Sequence, residues 1–381
     1  MSDDTPDPLR IAERAAEASP DAAALLALCS FLDPARPIPV SLLEGGAELL
    51  PPVPGATLRD AAAHERLWDA LLDAGAGGVA GGELVLNPDA ARAARERLDD
   101  DARRTWAGAA AALVERAFPG DPVRPESREA CERLFPHAVA AAAHAGETGG
   151  GLSSAAQVLH LAGRWELEVR GDPAAARALL EDAAELRRRA HGAGDVRVAW
   201  DLTYLNGALL SLGEWPAMAA NAVRAAEILE AEHGPGDRTV ITHVNNAALL
   251  LMRIGHLDAA RVWFRRALER AQAVFGAGHP FTATILSNVG DLCLRAGDPA
   301  GAREAYGQAL QIDERAYGPG HNSVARDLAK LGELLATLGD PGAARSYLER
   351  AAAWFTETAG PDDARTQAVR ATLARLNEAA E

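Results

Sequence analysis

Asn246 and Asn288 stand 42 residues apart, and Arg253 and Arg295 repeat the same step. A carboxamide both donates and accepts, so two in register can pair with the backbone of an extended peptide. Guanidinium groups, with Arg326 as a third, suit carboxylates, which they grip through parallel N–H bonds. That chemistry is recognition rather than bond-making. Residues for covalent work are poorly framed. Ser30, Ser41 and Ser287 lack a GxSxG setting, and Cys29, Cys131 and Cys293 read as small core hydrophobes. Asp99, Asp100 and Asp101 read as a solvated helix cap. Of the ten histidines, His191 and His233 are copies one step apart, as are His279 and His321. No HExxH or ligand-spaced cluster occurs, so a metal is not expected. Neither is a catalytic residue or a cofactor.

The bulk chemistry narrows the classes further. A net charge of −16 over 381 residues argues against a nucleic-acid footprint, which needs clustered positive charge. The three cysteines are far apart and lack CxxC spacing, which excludes a disulfide framework and fits a reducing cytosol. The acidic start MSDDTPDPLR is no signal peptide, and no apolar run is long enough to span a membrane. Lys330 is the sole lysine among many arginines, as GC-rich bacterial codon usage would give. A bacterial cytoplasmic protein is expected.

The elements that must position those side chains are written in the glycines. One series falls at Gly171, Gly213, Gly255, Gly297 and Gly339, and a second at Gly192, Gly234, Gly276, Gly318 and Gly360. Two interleaved series with one period predict a helical hairpin copied five times, a solenoid. The first series caps each leading helix, because glycine reaches positive φ at low cost. In Gly171-Asp172-Pro173, Gly297-Asp298-Pro299 and Gly339-Asp340-Pro341 the aspartate N-caps the next helix and proline takes its first turn. Alanines at 183, 225, 267, 309 and 351 let paired helices approach closely.

The rest is not periodic. Residues 1–8 read as a disordered acidic tail. A helix over 9–30, a short helix over Ile38–Leu50, a loop at Pro51–Gly55 and a helix over Arg59–Ala74 follow. The glycines of 75–82 before Leu84–Leu86 predict a hairpin, the only β-structure expected. Residues 9–100 thus carry the ingredients of a winged helix, 101–150 form a bridging helical pair, 151–360 hold five repeats, and 361–381 form a capping helix. The fold expected is all-α, a right-handed superhelical solenoid behind a winged-helix-like domain with one small hairpin.

This spacing resembles the tetratricopeptide repeat in a 42-residue form similar to kinesin light chain repeats. Phe275-Gly-Ala-Gly-His279-Pro280, Thr284-Ile-Leu-Ser-Asn288 and Ala309-Leu310-Gln-Ile312 resemble bacterial NB-ARC/tetratricopeptide proteins of the signal-transducing ATPase (STAND) class. Leu25 through Pro34, and Leu134-Phe135-Pro136-His137-Ala138, extend that likeness towards the N-terminus. Relatives carry an ATPase domain with a GxxxxGK[ST] loop, which does not occur in these residues. They also place a nucleotide-sensing histidine after the wing, where Asn87 stands here.

The resemblance implies that the leading helices line a concave groove. Its positions would be Trp200, Thr203, Tyr204 and Gly207, then Thr242, Asn245, Asn246, Leu249 and Arg253. Thr284, Ser287, Asn288, Asp291 and Arg295 follow, then Arg326, Lys330 and Glu333. Peptide contact is expected from Tyr204, Thr242, Asn245, Asn246, Arg253, Ser287, Asn288, Asp291, Arg295 and Arg326. The function implied is a noncatalytic sensor or adaptor for a protein or peptide, with the winged-helix part docking a partner such as a separately encoded ATPase or effector. The alternatives are a winged-helix transcriptional regulator and an enzyme subunit with a small-molecule site at the domain junction. For the former, the candidate recognition helix Ala61–Asp73 offers only His64 and Arg66 against Glu65, Asp69 and Asp73.

Overall fold

In the computed structural model, residues 7–49, 57 and 60–378 are described. The acidic start up to residue 6 and the expected loop Pro51–Gly55 lie outside them. Two compact units emerge, Met1–Gly213 and Glu214–Glu381.

The first unit begins with two helices where one was expected, α1 (Pro8–Ala18) and α2 (Pro20–Cys29). Pro20 cannot donate to the ladder, and Ser19 turns extended at φ −161°, ψ 130°. Its Oγ accepts from the Asp21 and Ala22 amides, so the break is a built cap. The expected helix over Ile38–Leu50 is also corrected. Ile38–Pro39 form strand β1, followed by the short helix α3 (Val40–Gly45) and a 3₁₀ turn over Ala47–Leu49. Next come α4 (Ala61–Asp73), β2 (Gly77–Ala80), β3 (Glu83–Leu86) and α5 (Pro88–Glu96).

The expected hairpin is therefore two strands of three, in the order β1-β3-β2, all antiparallel. Ile38 pairs with Leu84 and Pro39 with Glu83. A proline on an edge strand loses no ladder bond it needs, so Pro39 is tolerated in β1. Ile38, Leu84, Leu25 and Leu71 are fully buried in one core. Helices α6 (Asp100–Ala117) and α7 (Arg128–Thr148) follow, then α8 (Leu152–Trp165), α9 (Pro173–His191) and α10 (Val196–Leu212).

The second unit holds α11 (Trp215–His233), α12 (Arg238–Arg253), α13 (Leu257–Phe275), α14 (Pro280–Arg295), α15 (Pro299–Tyr317), α16 (Asn322–Thr337), α17 (Pro341–Ala359) and α18 (Ala364–Glu378). Alanines 267, 309 and 351 are completely buried, as the close approach of helices requires. Gly290 marks a close approach of α14 to α15, since a Cβ there would lie 2.4 Å from the Tyr306 ring.

The two glycine series differ in backbone conformation. Gly213 has φ 74° and ψ 18°, the left-handed helical cap. Gly276 has φ 93° and ψ 156°, an extended positive-φ region open essentially to glycine alone.

Candidate functional site

In the second unit two of the asparagines expected to contact a peptide, Asn245 and Asn288, bond each other instead. Asn288 Nδ2 donates to Oδ1 of Asn245, at 3.0 Å. Asn245 is buried, whereas its neighbour Asn246 is exposed. One repeat further on, Lys330 Nζ donates to Ser287 Oγ at 3.2 Å. Both bonds run from α14 to α12 or from α16 to α14, and both span 43 residues. A third bond of the same span joins Arg295 Nη1 to the Met252 carbonyl at 2.8 Å. Leading helices of successive repeats are thus stitched together by side-chain donors, two of them to side chains and one to a backbone carbonyl.

Lys330 ties the most polar part of this face together. Its Nζ also donates to Asp291 Oδ2 at 2.6 Å, and Asp291 Oδ1 accepts from the Tyr306 hydroxyl at 2.6 Å. Burial and the Asp291 bond raise the Tyr306 phenol well above its ordinary range. Ser287, almost fully buried, donates in turn to Asp327 Oδ1 at 3.1 Å. Asp327 was not among the expected contacts, yet it is completely buried. Its place twelve residues before Gly339, matching Asp201 before Gly213, is the signal that could have found it.

The remaining expected contacts divide by exposure. Arg253 is exposed and lies with its guanidinium carbon 3.6 Å from the Trp215 ring centroid, which fixes a flexible cation in place. Arg295 is exposed beyond its carbonyl contact. Thr242 is half-buried, with its hydroxyl returned to the Arg238 carbonyl at 2.9 Å. Arg326 is half-buried, 3.6 Å from Asp327.

Tyr204 belongs to the first unit. Its ring meets His160 edge-on at 5.0 Å, with Arg164 above it at 4.9 Å. Beside it Asp201 accepts from Arg187 Nε at 2.7 Å and from His160 Nδ1 at 2.8 Å, both Arg187 and Asp201 being buried.

Groups with reactive potential are committed to structure. Burial raises the Cys29 thiol and pushes Cys131 up to about 11, so neither is a ready thiolate. His279 and His321 N-cap α14 and α16, accepting from Phe281 and Ser323 amides at 3.1 and 3.2 Å. His137 Nε2 donates to the Pro37 carbonyl at 3.1 Å and its Nδ1 accepts from the Asp33 amide at 3.3 Å. Burial holds that imidazole below its usual range, hence neutral. Asn87 caps α5, accepting from the Asp89 and Ala90 amides at 3.1 Å. Asp99 likewise caps α6 through the Ala102 amide.

A cavity of about 510 Å³ in the first unit is lined by Phe31, Arg95, Arg103, Arg104, His144 and neighbouring acids. Its cations are in use. Arg95 donates to the Ser30 carbonyl and to His144 at 2.7 Å, Arg103 to the Glu96 carbonyl and Arg104 to that of Thr148. Among the described residues no group of three or more His, Cys, Asp or Glu is placed to hold a metal ion. Among them, too, no helix is long and apolar enough to cross a membrane.

The tetratricopeptide repeat family model matches residues 238–315 and 300–357, and a second tetratricopeptide model matches 167–196. A search of the curated proteins finds no match. Solved structures similar to this chain include the putative kinesin light chain repeats of Podospora anserina, at 15% identity, TM-score 0.47, 54% of this chain and 97% of that one. BtubC from P. vanneervenii is similar at 18% identity and TM-score 0.47, over 65% of this chain and 92% of its own. A STAND protein with a tetratricopeptide repeat sensor from Pyrococcus horikoshii matches at 16% identity and TM-score 0.41, over 99% of this chain and 56% of that one. The helical hairpins over 167–196 and 238–357 are tetratricopeptide repeats.

Proposed function

We propose that this chain is a noncatalytic recognition protein that captures an extended acidic peptide or protein segment on the leading-helix face of residues 238–338. The observation that carries the reading is the ladder of 43-residue bonds. It fixes one side chain of each repeat against the last. It leaves Asn246, Arg253 and Arg295 exposed along one face. Groups already held in place lose little entropy on binding, so each contact contributes more of its gross energy. Asn246 supplies the donor–acceptor pair for a peptide backbone, and the arginines supply the preference for carboxylates.

On this reading the N-terminal part, residues 9–100, is a winged-helix-like cap, supported by the helix and strand order of α2, β1, α3, α4, β2 and β3. Residues 101–150 bridge it to repeats over 151–360, closed by the helix of 361–381. We read the chain, from the resemblance of its repeat motifs to those of STAND signalling proteins, as a sensor or adaptor whose cap docks a second protein, such as an ATPase or effector. Asn87, which stands where that family's nucleotide-sensing histidine would, is spent here as a helix cap.

The test is enrichment from a random peptide display library on the full chain, followed by fluorescence anisotropy with the selected peptide. Acidic sequences should be enriched. Asn246→Ala and Arg253→Ala should each weaken binding about tenfold, or about 1.4 kcal/mol, the former at an unchanged melting temperature. Enrichment of basic sequences, or wild-type affinity in both variants, would overturn the reading.

A further inference from the structure

One position recurs at each junction between the second helix of a repeat and the first helix of the next. It pairs residues 187 and 201, 229 and 243, 271 and 285, 313 and 327, then 355 and 369. In the first unit it holds the buried ion pair Arg187–Asp201. At 271 and 285 it holds Ala271 and Ile285, and at 355 and 369 Phe355 and Val369, all buried. At 313 and 327 it holds two carboxylates, Asp313 at 1% and Asp327 at 0% exposure. Asp313 Oδ1 and Asp327 Oδ2 lack a hydrogen-bond partner. Where the first unit answers an aspartate with an arginine, the second answers it with another acid.

We propose that Asp313 and Asp327 form a proton-binding switch between α15 and α16. One proton held there relieves the repulsion between the two buried carboxyls, and its loss sets two negative charges against each other and loosens that junction. Neither Asp327 Oδ2 nor Asp313 Oδ1 meets a donor among the described residues, so nothing there stabilises both carboxylates at once. Arg326, 3.6 Å from Asp327, is one cation facing two buried acids, and a buried charge left without its own counter-ion is costly enough that a carboxyl takes up a proton instead.

The surroundings set where this happens. Asp327 is acted on by Arg326 and Lys330 of its own helix, by the Ser287 hydroxyl of α14 and by Asp313 of α15. Asp313 is acted on by Arg326, by His321 at the start of α16 and by the Ser323 hydroxyl. Against α16, helix α17 packs apolar Ala344, Leu348 and Ala351, and α18 brings Arg375, which acts on Glu333. Burial pushes Asp327 up to about 6, and the cations only partly oppose it. A folded-state value above the ordinary 3.8 means the contribution is fully present below that pH and is lost as pH rises through about 6. Between pH 8 and pH 5 it amounts to about a tenfold change in the unfolding equilibrium constant. The proposal is independent of what the leading-helix face binds.

The experiment is a carbon-13 titration of the full chain labelled at the aspartate carboxyls, with Asp327→Asn assigning the resonance. The Asp327 midpoint is expected near 6. Asp313→Asn should lower it, and Asp313→Arg, which remakes the pair found at 187 and 201, should bring it below the ordinary value. In thermal melts the wild type should gain about tenfold in stability from pH 8 to pH 5 relative to Asp327→Asn. A wild-type midpoint at or below about 4.5, a range usual for exposed carboxylates, would overturn the proposal, as would a midpoint that Asp313→Asn leaves in place.

Discussion

At Asn288 a single side chain serves both the fold and the face. Its amide group is the partner of buried Asn245, so truncation strands a carboxamide oxygen away from water. Asn288→Ala should therefore lower stability by about 1–2 kcal/mol, measured by urea denaturation. Asn246→Ala, at an exposed position, should stay within about 0.5 kcal/mol of wild type. Equal effects of the two changes would refute this division of labour. The sequence marks 246 and 288 as repeat-phase copies, and that much is visible in their spacing. It does not show that 288 reaches back to 245, because the choice between adjacent residues depends on how one helix is rotated against the next.

At the scale of the element, the two glycine series differ in what they tolerate. Gly297, at φ 77°, follows a helix end of the left-handed type that asparagine also adopts. Gly276, at φ 93° and ψ 156°, lies where side-chain-bearing residues are strained. A Cβ at either meets nothing within 4 Å, so the cost is backbone strain alone. Gly297→Asn should cost under about 1 kcal/mol and Gly276→Asn about 2–3 kcal/mol. Calorimetric melting of the two variants side by side checks this, and a smaller loss at 276 would contradict it. The period was plain in the sequence, but the difference between the series was not, since glycine is the residue of choice in both regions. The strand at Ile38–Pro39 escaped for a related reason. Two residues have no period to read, and only pairing with Leu84 and Glu83 makes them a strand.

For the whole molecule, net charge and local charge pull in opposite directions. The chain carries −16, while the leading-helix face presents Arg253 and Arg295 as exposed cations. Screening decides which an acidic peptide feels. The Debye length falls from about 30 Å at 0.01 M salt to about 8 Å at 0.15 M. Distant acids therefore repel the peptide at low salt and are masked at physiological salt, while contacts within a few ångströms persist. The association rate of an acidic peptide should rise over that interval, as read by stopped-flow fluorescence. A steady fall would mean that the local cations dominate at every range.

The sequence by itself determined the repeat, its helix caps and its small-residue contacts. These depend on residues close in the chain, or on a period that copies one local solution many times. Only the tertiary structure decided which polar groups meet: Asn245 with Asn288, Lys330 with Ser287 and Asp291, and Asp327 buried without a cation of the kind Arg187 gives Asp201. Each of those pairings depends on helix rotation and burial at a junction between repeats. Burial changes the free energy of a charge far more than any neighbour in sequence does.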